Sequence, residues 1–166
     1  MYAMKKLLLL IALICPVVSH ATTVERLTLD DLVRKAGKIV VGRVNGVRTY
    51  WSGQIILTSY TIEVQETIKG TASRNIEVTT IGGTIGDITL HVAGMPSFQK
   101  DENAVVFLEN TGMVSTVVGL GQGKFAVRNG EVTNTIGGLD FPDGRKAKPL
   151  NMTLESFKNQ IRRRLN

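Results

Sequence analysis

Apolar and polar positions alternate with period two through most of this chain from Lys38 onward, the signature of half-buried β-strands. The clearest case is Gln54–Ile68, where Tyr60, Ile62 and Val64 interleave with Thr61, Glu63 and Gln65 until Lys69-Gly70 ends the run. Before it, Lys38–Val44 is a β-branched run that continues with weaker pattern to Arg48 and bends at Gly42. After it, Asn75–Ile81 predicts a third strand antiparallel to the second, and Ile88–Val92 a short extra one between glycine turns. Ala104–Leu108 is continuously apolar and follows the acidic turn Asp101-Glu102-Asn103. Ser115–Leu120 and Lys124–Val127 follow, separated by Gly121-Gln122-Gly123, and Asn129-Gly130 is a hairpin signal before Glu131-Val132.

The period changes only near the two ends. Thr28 as N-cap, Asp31 as its capping-box partner and Leu27 with Leu32 as a staple predict a short helix that stops at Gly37. Gly137–Leu150 reads as a loop, and Thr153–Leu165 as a helix with Leu154, Phe157, Ile161 and Leu165 on one side. The fold class is therefore mainly β: a small antiparallel barrel, OB-like, or a sandwich, with short N-terminal and C-terminal helices. No period of 20–50 residues recurs, which excludes a repeat array.

Ahead of this pattern stands Met1–Ala21, in which Lys5-Lys6 precede the apolar run Leu7–Val18 and the small-x-small ending Ser19-His20-Ala21. This predicts a secretory signal peptide cleaved after Ala21 and a periplasmic or secreted protein. The apolar run is shorter than the roughly 20 residues of a membrane span, so no transmembrane segment is expected in the mature chain. Ile14 stands where a lipoprotein signal needs a small residue before Cys15, which argues against lipidation. Cleavage removes Cys15, the chain's one cysteine, and leaves His91 as the single histidine. The domain running from Thr22 to Asn166 then has neither disulfide nor thiol. Net charge falls from +6 to +4, without the basic stripe of a nucleic-acid binder.

Those losses narrow the chemistry. A thiol nucleophile and a Cys-rich zinc site go with Cys15. A Ser-His-Asp arrangement would need His91, which sits on a predicted strand, and no Gly-x-Ser-x-Gly elbow exists. His91 with carboxylates such as Asp87 is the remaining hydrolase reading. Gly119–Lys124 invites a phosphate-loop reading that fails, because Val118 stands where the first glycine belongs and Phe125 where Ser or Thr must hold magnesium. Asp30-Asp31 read as helix-start acids and Asp101-Glu102 as turn residues rather than catalytic pairs. No catalytic residue, metal ligand or cofactor motif emerges. The candidate ligand-binding positions are Tyr50 and Trp51, read in a turn after the first strand; Gly83 and Gly86, read as a backbone-lined loop; and His91. Arg162-Arg163-Arg164 complement the dipole of the last helix and offer a contact with anionic envelope surfaces.

Gly42-Arg43-Val44, Lys69-Gly70, Gly82-Gly83 with Gly86, Gly94-Met95-Pro96 with Phe98, Val105–Leu108 and Gln122–Phe125 together resemble a group of uncharacterised exported bacterial β-rich proteins. The resemblance covers most of the mature chain and implies export and a β-rich fold. More distantly, the first two strands and the Lys-Gly pair are similar to netrin-like and metalloproteinase-inhibitor-like OB domains, which are built on cysteines.

The function expected from these observations is an exported, non-catalytic module that binds a protein or envelope component. The alternatives are a periplasmic hydrolase using His91 with carboxylates and an accessory or inhibitor-like domain for an extracellular protease.

Overall fold

The computed structural model describes residues 24–112, 114–134, 136, 139, 141, 142, 144 and 150–166. The leader, with Cys15 and the cleavage position, and most of the Gly137–Leu150 loop lie outside the described residues. Helix α1 spans Leu29–Lys35. Strands β1 (Lys38–Ser52), β2 (Ile55–Lys69), β3 (Asn75–Ile81), β4 (Gly83–Ile85), β5 (Ile88–Leu90), β6 (Asn103–Thr111) and β7 (Val114–Val117) follow. A 3-10 turn at Leu120–Gly123 leads to β8 (Lys124–Arg128), β9 (Glu131–Asn134), β10 (Asn151–Thr153) and helix α2 (Leu154–Arg163). Among the described residues no helix is long and apolar enough to cross a membrane.

Eight strands form one antiparallel sheet in the order β10-β9-β8-β6-β1-β2-β3, with β7 also paired to β6 and β4-β5 forming a separate ribbon. The sheet curls until β3 and β7 approach within 8 Å at the Cα atoms, yet no ladder joins them. This corrects the closed barrel expected from the strand spacing. Five strands joined antiparallel, β3-β2-β1-β6-β7, bring two edges of like direction to the seam, where an antiparallel ladder cannot form.

Two cores share the sheet. On one side Ile39, Val41, Val105, Phe107, Phe125 and Val132 pack with Leu32 and Val33 of α1 and Phe157 and Ile161 of α2. On the other, inside the curl, lie Val40, Val44, Tyr60, Ile62, Val78, Val106, Leu108 and Val117. Alternate residues of β1 and β6 therefore enter opposite cores, which is why Ala104–Leu108 has no polar position: both of its faces are covered. The capping box of α1 forms as the pattern predicts, with the Asp31 amide donating to the Thr28 hydroxyl and the Thr28 amide to the Asp31 carboxylate. Lys69 closes the other end of α1 by donating to the carbonyls of Val33 and Ala36.

The course of β1 positions the candidate site. Its register slips at Ile39/Val40, Val41/Gly42 and Val44/Gly46, and such bulges bend a strand. Only Lys38–Arg43 pair with β6, after which β1 runs on with β2, whose other edge pairs with β3 from Leu57 to Glu63, so that only the tip of the hairpin, from Trp51 to Ile56, is two-stranded. Gly42 is required at its bulge, since a Cβ there would stand 2.6 Å from the Glu63 carbonyl oxygen.

Candidate functional site

Tyr50 and Trp51 belong to this hairpin, not to a turn: Tyr50 pairs with Leu57 and Trp51 with Ile56, and the chain reverses at Gly53-Gln54. The period-two pattern fades after Val44 because no residue of β1 from Asn45 to Ser52 is buried, so burial no longer imposes alternation along it. Trp51 is 47% exposed, and Tyr50 lies on the opposite face beneath the Arg48 guanidinium, 4.9 Å from the ring centre. Val47, Ile55, Ile81 and Ile88 are exposed at the same end of the sheet. This end thus carries five of the seven large apolar side chains exposed among the described residues, Val114 and Leu165 being the others. Those on the hairpin and β3 are divided between two faces of the sheet, Trp51 and Val47 on the face of Ile56 and Tyr60, Ile55 and Ile81 on the face of Tyr50 and Leu57.

The β4-β5 ribbon lies across the inner face of the hairpin. Thr58 donates its hydroxyl proton to the Gly82 carbonyl at 2.6 Å, and the Thr49 and Thr58 hydroxyls are 3.2 Å apart. Gly83, at φ +135°, sits directly on this pair, where a Cβ would lie 2.5 Å from Thr58 Oγ1 and 2.6 Å from Thr49 Cγ2. Gly86, at φ +57°, forms the turn between β4 and β5 and faces open space. Both glycines are thus accounted for by backbone placement.

His91 lies one residue beyond β5 instead of within a strand, because pairing ends at Gly83–Leu90. It is exposed and borders a groove of about 230 Å³ shared with Gly83, Tyr60, Thr80, Pro96 and Ser97. Its imidazole forms no hydrogen bond or ion pair with a described residue. The structure brings Gly83 and His91 to one groove, while Tyr50, Trp51 and Gly86 do not line it. No group of three or more His, Cys, Asp or Glu residues able to hold a metal occurs among the described residues.

The other charged candidates have structural partners. Asp30 pairs with Arg164 at 3.0 Å and Asp101 with Arg43 at 2.7 Å. Asp31 also binds Arg34, and its carboxyl is held below the ordinary value first by the Thr28 hydroxyl and amide and then by Arg34, against desolvation. Arg162 and Lys158 both bind Glu66, so the C-terminal arginines are drawn partly into the fold. The glycine-rich segment before Lys124 is a 3-10 turn whose buried Gln122 straps the N-terminal segment: it accepts from the Leu27 amide and donates to the Glu25 carbonyl, each at 2.9 Å.

One charged cleft has no signature in the sequence. Lys124 meets Glu102 at 2.7 Å, donates to the Ser97 carbonyl and lies 4.5 Å from the centre of the Phe98 ring. Glu102 in turn accepts from the Gln99 amide at 2.8 Å. The pair lines a cleft of about 290 Å³ with Met95, Arg128 and Leu139. A separation of 22 positions hides the pairing, which forms only once β8 lies beside β6, with Lys124 opposite Val106 and four residues along from Glu102.

No family model, curated protein or solved structure matches this chain.

Proposed function

We propose that this protein is an exported, non-catalytic module that binds a protein or envelope component through the β1-β2 hairpin end, with Trp51 as the central anchor. The observation that carries the reading is the gathering of Val47, Trp51, Ile55, Ile81 and Ile88 at one end of the sheet. The hairpin holds three of them on a ladder that runs without slip from Gly46 to Ser52, so binding would cost little backbone ordering. An aromatic anchor on such a support has the character of an interface hot spot. The signal-like leader supports an envelope location, and the resemblance to exported β-rich proteins points the same way. The circuit β3-β2-β1-β6-β7 is compatible with an OB-like barrel that is open between β3 and β7.

The test is affinity capture from native envelope extract with the parent protein beside a Tyr50→Ala/Trp51→Ala variant matched for folding. A partner held by the parent and lost by the variant is the expected result. An identical set of captured proteins for both baits overturns the assignment to the hairpin.

A further inference from the structure

The unclosed seam between β3 and β7 carries a more specific geometry. Each step from β3 through β2, β1 and β6 to β7 is antiparallel, so after four reversals β3 and β7 point the same way. No backbone hydrogen bond joins them, and both present an unpaired edge to the other. Between them lies an apolar groove of about 350 Å³ bordered by Thr80, Ile81, Met95, Pro96, Val117 and Leu120.

We infer that this seam accepts one extended peptide strand of a partner protein, inserted antiparallel to both edges. One added strand turns five into six, and a ring of strands is antiparallel throughout only when their number is even. Insertion satisfies two edges at once, whereas strand addition at an outer edge satisfies one. Two inter-strand spacings of about 4.8 Å each set β3 and β7 farther apart than their present approach within 8 Å, so the seam has to open to admit the strand, although no ladder bond has to break.

The faces of the seam define the occupant. The inner face is apolar, with Ile76 and Val78 from β3 and Val117 from β7, so every second residue of the peptide should be apolar. On the outer face Glu77, opposite Thr61, and Glu109, opposite Thr116, flank the seam, and neither carboxylate is in an ion pair with a described residue. The intervening positions should therefore be basic. This site shares Ile81 with the apolar end of the sheet but no residue of the β1-β2 hairpin, so either can fail without the other.

The probe is a short acetylated and amidated peptide of alternating Val and Lys, added to the purified chain while amide exchange is followed by NMR. Insertion predicts that protection of amides within Asn75–Ile81 and Val114–Val117 rises together, by about tenfold or more. Backbone N-methylation of the peptide abolishes the effect, and a Glu77→Gln/Glu109→Gln variant binds the parent peptide several-fold more weakly. A spin label at the peptide N-terminus broadens Ile81 and Val117, the antiparallel outcome. Protection on one edge alone, tolerance of N-methylation, broadening at Asn75 and Val114 instead, or no protection at millimolar peptide each overturns the proposal. So does slow exchange at both edges in the free protein, which would mean that β3 and β7 have already joined.

Discussion

The Glu102 carboxylate and the Lys124 ammonium lie 2.7 Å apart with both side chains only 12% exposed, tying the turn before β6 to the first residue of β8. Because Lys124 also holds the Ser97 carbonyl and the Phe98 ring, the pair fastens the whole segment from Ser97 to Glu102 onto the sheet. Removing one partner strands a nearly buried charge. Glu102→Gln should therefore destabilise the protein by about 3 kcal/mol, and Glu102→Gln/Lys124→Met should recover more than half of that loss. Denaturant titration of the parent, Glu102→Gln, Lys124→Met and the double variant checks the order; a double variant as unstable as the sum of the two single changes would remove the coupling.

Gly83 and Gly86 should respond differently to alanine. At Gly83 the new Cβ meets two β-branched side chains at 2.5 and 2.6 Å in a positive-φ conformation, whereas at Gly86 it meets nothing within 4 Å. The expected costs are about 3 kcal/mol for Gly83→Ala and about 1 kcal/mol for Gly86→Ala. Thermal unfolding measures both, and equal shifts would contradict the packing of the ribbon on Thr49 and Thr58.

Glu66 gives the fold a pH dependence. Burial pushes its carboxyl upward, but hydrogen bonds and charge from Lys158, then Arg162, outweigh burial and hold it below the ordinary 4.5. A carboxyl lowered in the native state contributes stability above its unfolded value, and that contribution is lost as pH falls through the folded value. Lys158 is raised above the ordinary 10.5 by hydrogen bonds to Glu155 and Glu66, against desolvation, so its contribution persists below 10.5 and is lost as pH rises past its folded value. Glu66→Gln should cost about 1 kcal/mol at neutral pH, since Glu66 keeps a third of its side chain in water, and the cost should vanish in acid. Urea unfolding from pH 7 down to pH about 2 tests this, and a pH-independent difference would refute it.

Phe157 holds α2 to the sheet. Its ring centre lies 4.6 Å from that of Phe125 and 6.3 Å from that of Phe107, and it is 1% exposed. Phe157→Ala should cost about 4 kcal/mol, and Phe157→Leu less than half as much. Amide exchange across Leu154–Arg163 should accelerate in the alanine variant before the sheet is affected.

The elements that the sequence made legible are those where a local rule and burial agree. Thr28 and Asp31 announced α1 through capping chemistry, and Tyr60, Ile62 and Val64 announced β2 because one face of the strand is buried. Asn129-Gly130 marked the β8-β9 hairpin because both residues take the positive φ that its turn requires. Where burial ceases to alternate the pattern weakens: no residue from Asn45 to Ser52 is buried, and Tyr50 and Trp51 therefore read as a turn although they lie in a strand. His91 reads from its apolar neighbours as part of a strand, yet pairing ends at Leu90, since apolar neighbours alone do not say where a ladder stops. β10 is too short for any periodicity to reveal.

The sequence by itself determined the β-rich class, the two terminal helices and the central strands, because each follows from residue types and spacings within a few positions. The tertiary structure alone decided that the circuit of strands stays open between β3 and β7, since that depends on how five strand directions add around the curl. It also decided that Glu102 meets Lys124 and that five apolar side chains share one end of the sheet. These are contacts between segments far apart in the chain, and no local periodicity encodes them.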